Sequence, residues 1–294
     1  MSATKYICLR DDDTNFFTSV EELQTAYGPY WGTIPITLAV IPFAHGSERK
    51  ILDVEIPYEK KFENLRRWEV EASEKELSEY HKVHPVGENK ELIQELKYLA
   101  STGKIEIAQH GVFHRYTEFG AELLGDRMSF TSLRDGKEYL EKVFDVKVKT
   151  LIPPGNVIDL TVIDYMNRLG MHLFSSGRIR AKNRWETIKT YFQYPESYID
   201  KRKKTPHPMH HRYGIHYFGS HTFEDGCKVE QIMKDIKNDL YTCGFSALGT
   251  HYRYLNDENN RATYHFLIDS IAKIENIQFV TASDYYNKAL ETKQ

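Results

Sequence analysis

Apolar residues recur along this chain in two alternating rhythms. Short runs at Tyr6–Leu9, Ile36–Ile41, Ile105–Gln109, Val148–Ile152, Met171–Phe174, Ile215–Phe218, Phe245–Leu248 and Ile277–Thr281 have the length and composition of buried strands. Between them the apolar positions fall three and four apart, as in Leu92, Ile93, Leu96, Leu99 and Ala100 ahead of Gly103, or Val162, Ile163, Met166 and Leu169 ahead of Gly170. That spacing predicts amphipathic helices stopped by glycine. Thr18 or Ser19 is expected to cap a helix through Tyr27, and Ser132 to cap one carrying Leu133, Tyr139, Leu140, Val143 and Phe144. Further helices are expected at Val229–Leu240 and Ala262–Ile274.

Seven or eight strand–helix units imply a parallel sheet, and this many units favour closure into a barrel. The expected fold is therefore α/β, a single distorted (β/α)7-8 barrel domain over residues 1–294, with a doubly wound open sheet as the alternative. Two stretches break the alternation, at about 46–89 and about 178–213. Insertions of this length in compact domains are expected to be lids or binding loops. The first leaves the C-terminal end of the second strand, so it is expected over the mouth of any site there.

Composition narrows the partners. A chain of 294 residues with 40% hydrophobic content can bury a sizeable core, and a net charge of −3 gives no basis for nucleic acid or an anionic membrane as partner. Cys8, Cys227 and Cys243 lack metal-ligand spacing and pairing, and are expected to be buried free thiols in a reducing compartment. Without a leader-like start or a long apolar run, the expectation is a cytoplasmic protein with no membrane span. None of these features sets an oligomeric state.

Four polar motifs stand at strand ends: Asp11-Asp12-Asp13, His110-Gly-Val-Phe-His114, Pro153-Pro154-Gly155-Asn156 and Leu248-Gly-Thr-His251. Each has a plain reading. Three aspartates suit a solvated turn in which Asp13 or Asn15 bonds its own backbone, the prolines suit a rigid turn, and His251 alone suits a bonded core histidine. A second His-x-x-x-His pair, His207 and His211, lies in the insertion with His210 and is read as loop histidines, with a phosphate or second-metal role as the alternative. What distinguishes the first four motifs is that they converge on one face if the strands form a barrel. Two histidines and a carboxylate can hold a divalent metal there, while a second carboxylate and a third histidine remain for proton transfer. Either Asp11 and Asp12 or Asp12 and Asp13 can be base and ligand.

In order and spacing these motifs resemble the polysaccharide deacetylase family, the NodB-homology domain of carbohydrate esterase family 4. That family shows Thr-Phe-Asp-Asp, His-Ser/Thr-x-x-His-Pro, Arg-x-Pro-x-Gly, Asp-x-x-Asp-Trp and Leu-x-x-His; the counterparts here are Arg10-Asp11-Asp12-Asp13, His110–Arg115, Leu151–Gly155 and Leu248–His251. The resemblance implies a distorted barrel of the polysaccharide-deacetylase type, a metal-dependent hydrolase that removes an N-acyl group, acetyl or formyl, from an amino sugar or glycan precursor. It implies Asp13, His110 and His114 as metal ligands, Asp12 as catalytic base and His251 as acid. Arg10, Pro154 and Asn156 are the expected substrate-binding residues. Zinc is the expected ion, with cobalt, nickel or iron(II) also suited to two histidines and one carboxylate. Leu151 replaces the motif arginine, a place Arg10 can fill, Gly111 replaces Ser or Thr, Arg115 replaces Pro, and no Asp-x-x-Asp-Trp is present. These departures point away from a polymer substrate. An amidohydrolase acting on a non-sugar amide and a catalytically silent barrel binding a glycan or protein are the alternatives.

Overall fold

A computed structural model describes residues 3–46, 58–117, 120–124, 128–175, 178–181, 184–193 and 209–292. Ten strands form one sheet: β1 (Lys5–Thr14), β2 (Ile36–Val40), β3 (Ile105–His110), β4 (Thr150–Ile152), β5 (His172–Phe174), β6 (His210–Arg212), β7 (Ile215–Phe218), β8 (His221–Thr222), β9 (Phe245–His251) and β10 (Ile277–Val280). Their order is β6–β7–β5–β4–β3–β2–β1–β9–β8, with β10 beside the first half of β1 and β2 beside its second half. All pairings are parallel except the β6–β7 hairpin.

The strands alternate as a two-faced sheet requires. Ile7, Leu9, Leu38, Ile107, Leu151 and Leu248 pack with the helices, whereas Cys8, Ala39, Ala108, Ile152, Phe174 and Ala247 form a separate inner cluster. The inner positions are small near the middle of the sheet, which lets it curl. The helix Ala282–Glu291 closes one end of this interior, with Tyr285 stacked on Phe218 at 4.2 Å. Among the described residues the end strands β6 and β8 do not pair with each other, so the sheet is a curled half-barrel.

The predicted helices and strands are present with shifted ends. Ser129, not Ser132, caps the helix Phe130–Phe144: its backbone is extended and its hydroxyl accepts the Ser132 amide proton at 2.9 Å. β1 continues through the three aspartates and β9 through His251, so these motifs end strands instead of following them. The first insertion contributes the helices Tyr58–Glu71 and Glu74–His81, closed by an antiparallel pairing of Phe43–His45 with Val83–Pro85. In the second, His210 and His211 lie in β6, opposite Tyr217 and His216, rather than in a loop, because the chain doubles back through Tyr213 and Gly214 to pair with itself. His207 and Lys201–Lys204 lie outside the described residues. Cys8 is buried as expected; Cys227 and Cys243 are only half-buried. Among the described residues no helix is long and apolar enough to cross a membrane.

Candidate metal and catalytic site

β1, β3, β4 and β9 present the site at their C-terminal ends. In the parallel register Asp12 lies opposite His251, and His110 opposite Ile152, so motifs far apart in sequence become neighbours. The three aspartates then separate into three environments.

Asp11 is fully buried toward the helix side, where the Tyr27 hydroxyl donates to it and Thr14 Oγ1 lies at 3.5 Å. Burial raises its pKa well above the usual carboxylate range, with the charges of Asp12 and Asp13 adding. Asp12 faces the interior and is held by two bonds from Arg10, one from Nε to Oδ1 at 2.6 Å and one from Nη2 to Oδ2. Burial works against its charge, but the Arg10 guanidinium, His110 and His251 outweigh burial and keep the carboxyl below its ordinary pKa.

Asp13 would share the Asp11 face if the strand alternated regularly. It does not, because β1 advances from Asp11 to Thr14 while β2 advances only from Leu38 to Val40, a β-bulge with Asp13 in the left-handed region at φ 75°. The bulge turns the Asp13 carboxylate toward the histidines. Its Oδ1 lies 3.2 Å from Nε2 of both His110 and His114, and its Oδ2 lies 3.6 Å from Nε2 of His251. Burial opposes ionisation, but His114, His110 and His251 hold the carboxyl well below its ordinary pKa. Of the turn bonds expected of Asp13 or Asn15, those of Asn15 form: its Nδ2 donates to Asp13 O at 2.7 Å, and its Oδ1 accepts from Phe17 N at 2.8 Å.

The donor chemistry of Asp13, His110 and His114 fits a divalent cation. Their ligand atoms lie within 4.8 Å of one another and all three residues are buried. His110 Nδ1 lies 2.8 Å from the Ile152 carbonyl, which can only accept, so Nδ1 carries the proton. Nε2 of the same ring points at Asp13 Oδ1 at 3.2 Å, so a cation seated between them would be ligated by both. Metal bonds of about 2.0–2.2 Å place neighbouring ligand atoms roughly 3 to 3.5 Å apart, as are Asp13 Oδ1 and each of the two histidine nitrogens at 3.2 Å.

His251 ends β9 at the rim with 32% of its side chain exposed, and its Nδ1 is buried without a hydrogen-bond partner among the described residues. Burial lowers its pKa against the opposing charges of Asp13 and Asp12. Pro154 is buried beside Gly111, and Asn156, at φ 56°, accepts from Arg10 Nη2 at 3.1 Å. Arg10 Nη1 also donates to Phe174 O at 3.4 Å, so this guanidinium, 3% exposed, spends its hydrogen bonds within the protein.

Sequence reasoning missed Glu122. Its carboxylate accepts from the amides of Val112, Phe113 and His114 at 2.8, 2.7 and 3.1 Å, so it grips the loop that carries both histidines. The only signal was an acid inside the apolar stretch Ala121–Leu124, all of it buried. The first insertion lies on the same face: Leu65, Phe62 and Trp68 pack on Tyr116, His84 stacks on Phe16 at 4.8 Å, and the Asn89 amide donates to Phe16 O and Thr18 O.

No family model matches the sequence, and no curated protein matches it. Solved structures do. The chain is similar to a family 4 acetyl xylan esterase from Clostridium thermocellum in complex with a cobalt ion, at 12% identity and TM-score 0.50, covering 96% of this chain and 91% of that one. It is also similar to a protein proposed to be a polysaccharide deacetylase from Mycobacterium smegmatis, at 11% identity and TM-score 0.52, covering 100% and 93%. The α-amylase AmyC from Thermotoga maritima matches at 11% identity and TM-score 0.53, covering 97% and 75%. The chain therefore has the curled barrel fold of family 4 carbohydrate esterases, a fold it also has in common with an α-amylase, and side chains rather than fold must identify the reaction.

Proposed function

We propose that this protein is a metal-dependent hydrolase of the polysaccharide-deacetylase type that removes an N-acyl group from an amino sugar or glycan precursor. The observation that carries the reading is the division of labour within one bulge: Asp12 is clamped by Arg10 while Asp13 turns to two histidines. A metal at Asp13, His110 and His114, with zinc as first choice, would polarise the amide carbonyl and acidify a water. Asp12 takes the proton from the attacking water. Arg10 keeps that carboxylate ionised and fixes both its oxygens, so that it meets the water as a base and not as an acid. His251, at the rim, gives a proton to the amine nitrogen from its protonated form as the amide C–N bond breaks; the proton taken up by Asp12 then restores it, and water supplies the oxygen of the released acid. Pro154 and Asn156 shape the wall beside the base, and Arg10 acts on the substrate through Asp12.

The insertion packed on the site face supports a small substrate, such as a free or nucleotide-linked amino sugar of the cytoplasm, over a polymer. The test is to strip the protein with a chelator, titrate zinc, and follow acetate or formate release from N-acetyl and N-formyl amino sugars. One metal per chain and release that depends on it are expected. Failure to bind zinc would overturn the metal reading; zinc binding with hydrolysis confined to non-sugar amides would move the substrate class to the alternative.

A further inference from the structure

Glu122 is an acid that the proposed chemistry does not use, yet it is buried next to the site. Burial raises its pKa, and the amides of Val112, Phe113 and His114 work the other way. Three consecutive amides cannot converge in an extended strand, where they alternate in direction. They converge here because Gly111 and His114 both adopt left-handed backbone, at φ 62° and 56°. For histidine this conformation is costly and needs surrounding structure to hold it. Glu122 arrives from the hairpin Tyr116–Thr117/Gly120–Ala121, and the next residue is tied to the barrel by Asp159 N donating to Leu123 O at 3.0 Å. A second tether, Gln109 Nε2 donating to Gly111 O at 3.0 Å, holds the other end of the loop.

The same contact explains Gly111. A Cβ at this position would overlap Glu122 Oε2 and lie 2.8 Å from Pro154 Cγ, so the loop has no room for the Ser or Thr of the related motif. Carboxylate and missing side chain are two halves of one device.

We propose that Glu122 is the positioning residue of the metal loop, a buried carboxylate that fixes the backbone of His110–His114 so that both imidazoles meet Asp13. This rests on the metal reading of the site. Two accepting oxygens are needed because Glu122 Oε2 accepts two amides and Oε1 a third, whereas glutamine presents an NH2 group to one of them. Partners of this kind change metal affinity by about 10- to 100-fold when removed.

The experiment compares the zinc affinity of the full chain with that of Glu122→Gln by competition against a chromophoric chelator. The visible spectrum of the cobalt(II) form is recorded alongside, since it reports ligand geometry, which fold stability alone would not move. Zinc binding by Glu122→Gln about 10- to 100-fold weaker, with an altered cobalt spectrum and a cooperative unfolding transition, is the expected result. Should that variant not fold, Gly111→Ala keeps the acid but displaces it, and the same loss of affinity is expected. Affinity within about twofold of the parent, with an unchanged spectrum in a folded variant, would overturn the positioning role while leaving the metal site standing. A parent protein that binds no zinc would overturn the metal reading itself.

Discussion

The two ends of the sheet both bury ionisable groups, but in opposite ways. At the N-terminal ends of β3, β4 and β5, Glu106 accepts from Ser283 N at 2.7 Å, Ser283 Oγ at 2.9 Å and Thr150 Oγ1 at 2.7 Å. The Thr150 hydroxyl, its proton committed to Glu106, lies 2.8 Å from His172 Nε2, which therefore donates. Each donor in this chain meets an acceptor. At the C-terminal ends, Asp12 and Asp13 stand among three histidines, three non-glycine residues of the motifs, Asp13, His114 and Asn156, hold left-handed backbone, and His251 Nδ1 is buried with no hydrogen-bond partner among the described residues. Burial of charge is common to both clusters and so does not mark function. What separates them is that Asp13, His110 and His114 form a buried group that could hold a cation, whereas the lower cluster satisfies itself.

The sharpest way to break this comparison is at the adjacent aspartates. Asp12→Asn keeps the shape beside Arg10 and removes the base, so hydrolysis is expected to fall by about 10² to 10⁴, or roughly 3 to 5 kcal/mol of barrier, with zinc still bound. Asp13→Asn is expected to lose zinc as well. Both are read from elemental analysis and initial rates on one preparation. If Asp12→Asn loses zinc while Asp13→Asn keeps it, the bulge does not assign the roles and the ligand is Asp12.

That contrast also locates what was legible in the sequence. Strand periodicity and the stops at Gly103 and Gly170 were enough for the sheet, and residues 10 and 12 of one strand share a face by simple alternation, which foretells the Arg10–Asp12 pair. Asp13 breaks that alternation. Its orientation depends on β2 being one residue shorter across the bulge, a property of the pair of strands that neither shows alone. Glu122 was hidden for a related reason: it acts on backbone amides, which leave no trace in side-chain spacing. The hairpin of β6 was missed because its polar residues His210–Arg212 carry no apolar rhythm and pair only through a tight turn at Gly214.

A middle-sized effect sharpens the other side of the comparison. Burial, with Lys149 and His216 adding, pushes His172 down to about 4. An unfolded histidine titrates near 6.5, so between these values the unfolded chain binds the extra proton. The stability linked to His172 is therefore complete above about pH 6.5 and is lost as pH falls toward 4. From pH 7 to pH 5 this amounts to about 2 kcal/mol. Urea unfolding of the parent and of His172→Gln at both pH values checks it, and the variant is expected to be less sensitive by that amount. An equal pH dependence in the two proteins would mean that His172 is not held neutral by its surroundings.

The smallest expected effect is the most discriminating between the two ends. Glu106→Gln leaves one acceptor oxygen where donors of Ser283, Thr150 and Thr281 converge, although the hydroxyls of Thr150 and Ser283 can rotate to accept from the new amide. The net loss is then one hydrogen bond, about 1 kcal/mol of unfolding free energy. Glu106 and His110 lie on the same strand, four residues and roughly 13 Å apart at the rise of a strand. Sites at that separation without shared partners behave independently. Zinc affinity and hydrolysis are therefore expected to be unchanged in Glu106→Gln while stability drops. A parallel drop in zinc affinity, measured by the same chelator competition at a temperature where the variant is folded, would show that strain passes along β3 and that the lower cluster helps to set the geometry of the upper one.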